Sequence, residues 1–326
     1  MRIAVDAFGG DNAPLASIKG AELAYKEYGY EIVLVGKREE INKVASENNI
    51  DLTNITIEEA SDVIEIEDEP TKILKEKRQS SMAKTLELLA DGKVDAAVSA
   101  GSTGALVVGG TFIVKRIKGI KRCALAAVMP SKKDYIMMLD VGANAEVKPE
   151  YLMQFGVMGK VYMENVMNVK SPKVALLNIG AEDCKGTETQ IEAYKLLKDA
   201  NINFAGNIEG RDIMQGDIDV IVADGFSGNV ALKTVEGVAS TLFSMIKQVM
   251  TKNAVTTLAA AILKPSLKIL KNKMDYSAVG GAPLLGTKKP VFKAHGSSNE
   301  IAFKNAIQKA ALFAENKVIE KIEGSL

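Results

Sequence analysis

The sequence predicts an α/β protein: a three-layer sandwich on a largely parallel β-sheet. Short aliphatic runs, apolar on both faces, alternate with helical patterns, as strands of a sheet covered on both sides do. Each run then ends in a loop of Gly, Ser, Asn and Asp that leads into the next helix. A chain of 326 residues, 47% hydrophobic, supplies enough apolar material for one large core.

The pattern opens the chain at "RIAVDAFGGDNAP", and "EIVLVG" (31–36) and "NITIEEA" (54–60) read as two further strands. It returns at "VDAAVSAGSTGAL" (94–106), "YIMMLDVGANAEVKPE" (135–150) and "VALLNIGAEDCKGTE" (174–188), the last running into the helical "TETQIEAYKLLK". "DVIVADGFSGNVALK" (219–233) and "VFKAHGSSNEIAFK" (291–304) complete the set. In a parallel sheet the loops that follow the strands gather on one edge, and ligands bind there. No linker, low-complexity tract or periodic repeat interrupts the chain, so residues 1–326 read as a single α/β domain.

One segment departs from the rest. From Gly237 to Met274 there is no Asp or Glu, while Lys247, Lys252, Lys264, Lys268, Lys271 and Lys273 fall within it. Leu258 and Ile262 lie among these lysines, so 237–274 reads as a basic, amphipathic helical protrusion. It suits an acidic partner or an anionic membrane face. Lys115, Arg116, Lys118, Lys121 and Arg122 form a second basic cluster.

Composition excludes several classes. Lys plus Arg and Asp plus Glu number 41 each, which argues against a nucleic-acid binder. Cys123 and Cys184 have no metal-ligand or disulfide spacing, which fits a reducing cytoplasm, and Asp6 interrupts any signal-peptide core. The most apolar run, "GALVVGGTFIV" (104–114), is too short and too Gly-rich to span a bilayer. No phosphate-loop, dinucleotide or metalloprotease motif occurs, and neither a cofactor nor a metal is expected.

His295, the chain's one histidine, precedes Ser297 and Ser298. A hydrolytic Ser–His pair is disfavoured, because side chains so close in one loop tend to point apart and no nucleophile elbow is present. "SSNE" reads instead as a helix N-cap with Glu300 in the first turn. Helix N-termini suit anions, and the loops add Asn12, Asn144, Asn229, Asn299 and Lys185.

Taken together and in this order, "MRIAVDAFGGDNAP", "SAGSTGAL", "LDVGANAE", "LNIGAEDCKGTE", "VADGFSGNVALKTVEG", "YSAVGGAPLLG" and "HGSSNEIAFKNAI" resemble the bacterial phosphate acyltransferases of phospholipid synthesis, the PlsX family. The resemblance runs from residue 1 to about 310. It implies a Rossmann-like fold similar to isocitrate and isopropylmalate dehydrogenases and to phosphotransacetylase. The implied reaction moves a fatty acyl group from acyl carrier protein to inorganic phosphate, by direct attack of the bound phosphate. The resemblance also implies a homodimer, cytoplasmic and peripherally membrane-associated, which feeds a membrane glycerol-3-phosphate acyltransferase. A short-chain phosphotransacetylase and a non-catalytic membrane scaffold are the alternative readings.

On this reading Lys185, Asn229 and His295 are the catalytic candidates. Asp6, Gly10, Asn12, Ser102, Thr103, Asn144, Ser227, Gly228, Ser297, Ser298 and Asn299 are expected around phosphate and substrate, with Asp140 shaping the edge. Asp224 orients neighbouring donors, since two anions repel. Arg122, Leu258, Ile262, Lys264, Lys268 and Lys271 form the expected partner or membrane surface. Ala181 and Thr187 replace the Thr and Asn that the family's wording leads one to expect.

Overall fold

A computed structural model of the chain describes the backbone of residues 1–273 and 280–326, and the side chains of 1–267 and 280–326. The N-terminal half is built from β1 (Arg2–Asp6), α1 (Leu15–Tyr28), β2 (Glu31–Gly36), α2 (Arg38–Glu47), β3 (Ile55–Glu59), α3 (Ser81–Ala90), β4 (Ala96–Ser99) and α4 (Thr103–Gly109). The middle holds β5 (Ala124–Pro130), β6 (Tyr135–Leu139), α5 (Pro149–Asn165), β7 (Lys173–Asn178), α6 (Glu188–Asp199), β8 (Asn203–Glu209) and β9 (Val220–Val222). Then follow α7 (Gly225–Met250), α8 (Ala254–Lys273), β10 (Ala282–Leu285), β11 (Val291–Lys293), α9 (Glu300–Glu315) and α10 (Val318–Glu323).

One eleven-stranded sheet runs β3-β2-β1-β4-β11-β10-β5-β6-β9-β7-β8, so the α/β class and the largely parallel sheet are as expected. Successive strand residues face opposite layers. Ile3 and Val5 join the core under α1, α9 and α5, whereas Ala4 joins a separate core under α3 and α4. On the face that Ala4 shares, a third core lies under the start of α7; it contains Leu125 and Met129, with the partly buried Leu232 packed against it.

The expectation of one loop-bearing edge is corrected. β10 is antiparallel to both β11 and β5, and β5 is antiparallel to β6, so the sheet reverses direction at its centre. Register shows where the ends fall. Ser99 pairs with Lys293, and Lys293 with Ala282; Leu284 pairs with Leu125, which brings Ala282 level with Ala127. Leu139, next to Val222, pairs with Ala126. The carboxyl ends of β4 and β11 therefore meet those of β6 and β9 head-on, at the middle of β5. The loops converge, but across a cleft rather than along an edge.

The reversal depends on β5 and β10, whose sequences gave no strand signal. "ALAAVMP" is rich in alanine, a weak strand former, and "APLL" is four residues with a proline.

The stretch read as a protrusion falls, as far as residue 273, on the second half of α7 and on α8. Val238, Leu242, Met245, Val249, Val255 and Leu258 are all exposed there. Among the described residues no helix is long and apolar enough to cross a membrane.

Candidate functional site

A cavity of about 770 Å³ lies where the two sets of strand ends meet, between the sheet and α7. Its wall along β5 and α7 is apolar, with Leu125, Met129, Leu232, Val235 and Phe243. Polar groups collect where the loops after β4 and β11 approach α7: Ser102, Thr103, Lys233, Lys293, His295 and Ser298. Asn229 lines the cavity from the first turns of α7.

Each loop is held by its own helix cap. Ser102 Oγ accepts from Ala105 N–H at 3.5 Å, Asp224 Oδ1 from Ser227 N–H at 2.8 Å, and Asn299 Oδ1 from Ala302 N–H at 2.9 Å. The "SSNE" stretch is thus an N-cap with Glu300 opening α9, and Asp224 orients a neighbouring donor as expected.

Several predicted contact residues position loops instead of lining the cavity. Asp6 is buried, and Ser99 Oγ donates to its Oδ2 at 2.6 Å; burial raises its pKa. Gly10 has φ +100°, and a Cβ there would lie 2.9 Å from the Gly296 oxygen. Asn12 Nδ2 donates to the Ser297 and Ser298 carbonyls at 3.2 and 3.3 Å, tying the β1 loop to the β11 loop. Asn144 Nδ2 donates to the Cys123 carbonyl at 2.7 Å and to Asp140 Oδ2 at 2.8 Å. Asp140 also accepts from the N–H groups of Leu125, Ala143 and Asn144 at 2.6–3.1 Å. Burial outweighs these bonds and pushes its pKa up to about 6. Gly228 stands against the Asp140 carbonyl. Ser227, Ser297 and Asn299 also lie outside the lining.

Lys185 is exposed in the loop between β7 and α6, outside the cavity lining. Asn178 Nδ2 donates to its carbonyl at 3.0 Å, and Gly186 has φ +96°. β7 is the third strand from β5, about 14 Å away at ordinary strand spacing.

The histidine loop departs from expectation. His295 Nδ1 lies 2.8 Å from Ser297 Oγ, so these two side chains face each other. His295 Nε2 lies 3.3 Å from Lys233 Nζ on the other side of the ring. The Ser297 N–H donates to Nδ1 at 3.2 Å, so the loop backbone also holds the imidazole. Burial, then Lys233, lowers the imidazole pKa, so the ring is neutral at neutral pH. A cation faces it where a hydrolytic triad needs a carboxylate.

Sequence reading missed Lys233, Glu236 and Lys293, which all line the cavity. Glu236 Oε2 lies 2.7 Å from Lys233 Nζ, at the i, i+3 spacing that could have flagged the pair. On the predicted partner surface, Leu258, Ile262 and Lys264 are exposed on α8, and Arg122 lies over the Tyr151 ring at 6.0 Å. The side chains of Lys268 and Lys271 lie outside the described residues, as does residue 274 at the end of the predicted protrusion.

Residues 1–321 match the family model for the fatty acid synthesis protein. A phosphate acyltransferase of Clostridium botulinum (strain Loch Maree / Type A3) is 50% identical over 327 residues, covering 100% of this chain and 98% of that protein. The chain belongs to the phosphate acyltransferase family. Among solved structures, a phosphotransacetylase from Streptococcus pyogenes aligns with TM-score 0.64 at 17% identity, covering 97% of this chain and 94% of that one. A putative 4-hydroxythreonine-4-phosphate dehydrogenase from Salmonella typhimurium aligns with TM-score 0.50 at 12% identity, covering 98% of this chain and 99% of that one. These two likenesses bear on the fold, and they match the dehydrogenase and phosphotransacetylase relationship the sequence implied.

Proposed function

We propose that the chain transfers a fatty acyl group from an acyl carrier protein thioester to inorganic phosphate, releasing acyl phosphate for phosphatidic acid synthesis. Family membership supports acyl transfer to phosphate. The observation that carries the reading is one cavity with an apolar wall and a cationic, hydroxyl-lined end. Its volume of about 770 Å³ suits a long acyl chain better than an acetyl group.

Phosphate is already anionic, so no covalent enzyme intermediate is needed. A phosphate oxygen attacks the thioester carbon, the C–O bond forms, and the C–S bond breaks as the tetrahedral intermediate collapses. The thiolate leaves with the electron pair and is protonated afterwards. The protein's task is to hold the dianion near the carbon and stabilise the oxyanion. Ser102, Thr103, Ser298 and Asn229 supply hydrogen-bond donors around this step, with the His295–Lys233 pair alongside. Lys185 serves as an outer cation that meets the incoming anionic substrate over the cleft.

Incubating the protein with acyl carrier protein thioester and labelled phosphate should give labelled acyl phosphate. Lys185→Ala should lower the rate several-fold while the fold is kept. A rate unchanged in that variant removes the lysine from the reaction. Turnover of acetyl-CoA in place of the long-chain thioester would favour a short-chain phosphotransacetylase, and no product from any thioester would leave a scaffold.

The exposed apolar stripe on α7 and α8, with its lysines, supports peripheral membrane association, docking of an acidic carrier protein and pairing of two copies. The product would then pass to a membrane glycerol-3-phosphate acyltransferase. Leu258 is 69% exposed. Leu258→Glu should weaken sedimentation with anionic liposomes at least about tenfold. Undiminished binding would exclude this helix as the anchor.

A further inference from the structure

Lys293 ends β11 and is, among the described residues, the one buried lysine or arginine, 9% exposed. Its Nζ donates to the Ala100 carbonyl at 2.9 Å and to the Ala294 carbonyl at 2.6 Å. Those two carbonyls begin the loops after β4 and β11, so one ammonium ties together the two loops that carry Ser102 and His295. An ammonium has three donors, and no third protein partner is present among the described residues.

The other lysine in the cavity is already neutralised. Lys233 pairs with Glu236 at 2.7 Å, whereas none of the ion pairs among the described residues includes Lys293. A buried, unpaired charge is costly unless something compensates it. The groups facing it are Asp6 at the end of β1, Asp11 in the following loop, Lys233 on α7 and, in its own loop, His295. Both aspartates act on Lys293 only through space. The ammonium is therefore desolvated and outside any ion pair, it lines the cavity, and one of its three N–H groups is left for a ligand oxygen.

We infer that Lys293 is the phosphate-binding cation of the cavity: its third N–H takes an oxygen of the attacking phosphate, while its other two hold the β4 and β11 loops in place. This rests on the acyl-phosphate reading above for the identity of the anion. Burial lowers the lysine's own pKa to about 8, so the ammonium is still mostly charged at neutral pH and is lost only slightly above it. A bound dianion stabilises the charged form and raises that pKa.

Calorimetric titration with inorganic phosphate compares wild type, Lys293→Met and Lys293→Arg. Lys293→Met should weaken binding at least about tenfold, and Lys293→Arg should retain part of it. Wild-type affinity should fall as pH rises through about 8, whereas in Lys293→Arg it should stay level. Where Lys293→Met fails to fold, NMR of 15N-lysine side chains in the wild type decides: the Lys293 signal should titrate below the ordinary lysine range and move upward with phosphate. Equal phosphate binding in all three proteins, or a Lys293 signal indifferent to phosphate, overturns the inference. Lys293-dependent phosphate binding without acyl phosphate formation would sink the acyltransferase reading and leave this one standing.

Discussion

Gly228→Ala should lower the thermal midpoint by about 5–10 °C and abolish most acyl transfer, through loss of about 3 kcal/mol of stability. A Cβ at this position would lie 2.0 Å from the Asp140 carbonyl oxygen and 3.4 Å from the Ala223 Cβ. The oxygen is backbone, held by the same turn in which the Asp140 carboxylate accepts from Leu125, Ala143 and Asn144. It cannot step aside without moving the end of β6. The helix must move instead, carrying Asn229 and Lys233 away from the cavity. Gly237, on the same helix, has nothing within 4 Å of its would-be Cβ. Gly237→Ala should be neutral or stabilise the helix by up to about 1 kcal/mol. Matching melting curves for the two variants would show that the close approach of α7 to β6 is wrong.

His295→Asn should lower the rate of acyl phosphate formation about 10²-fold with the fold intact. The imidazole lies between Ser297 Oγ at 2.8 Å and Lys233 Nζ at 3.3 Å, so it fixes where the Lys233 charge stands in the cavity. Its pKa is held below the ordinary histidine value by burial and then by Lys233. Turnover should therefore be level through neutral pH, with an acid limb that sets in only below the usual histidine range. There the ring gains a second positive charge beside the lysine. That acid limb should vanish from the pH–rate profile of His295→Asn. A loss smaller than about threefold, with the acid limb unchanged, would take His295 out of the reaction.

Much of the candidate site's lining was legible, and little of its contact chemistry. His295, Asn229, Ser102, Thr103 and Ser298 stand in loops or helix starts that follow apolar runs, and all five line the cavity. The signal there was local: a strand, a small-residue turn and a helix N-terminus are written in consecutive residues. Lys293 was invisible for the opposite reason. A lysine in "VFKAHG" reads as an ordinary polar strand end, and only packing against Ala100, far away in sequence, makes it a buried cation. Asn12 and Asn144 looked like substrate contacts because an asparagine in a loop offers donors to anything. Which acceptor it meets, Ser297 or Cys123, depends on partners brought together by the fold.

The sequence by itself determined the α/β class, the loop-bearing strands, the helix cap in "SSNE", and the family. These depend on residue periodicity, turn chemistry and motif order, which are properties of neighbours along the chain. Only the tertiary structure decided that the sheet reverses at β10 and β5, so that two sets of strand ends face one another. It also decided that the cavity's cations are Lys233 and Lys293, with Lys185 outside the lining. Strand direction and side-chain burial depend on contacts between distant segments, and a weakly patterned stretch such as "ALAAVMP" acquires its place only from the strands on either side.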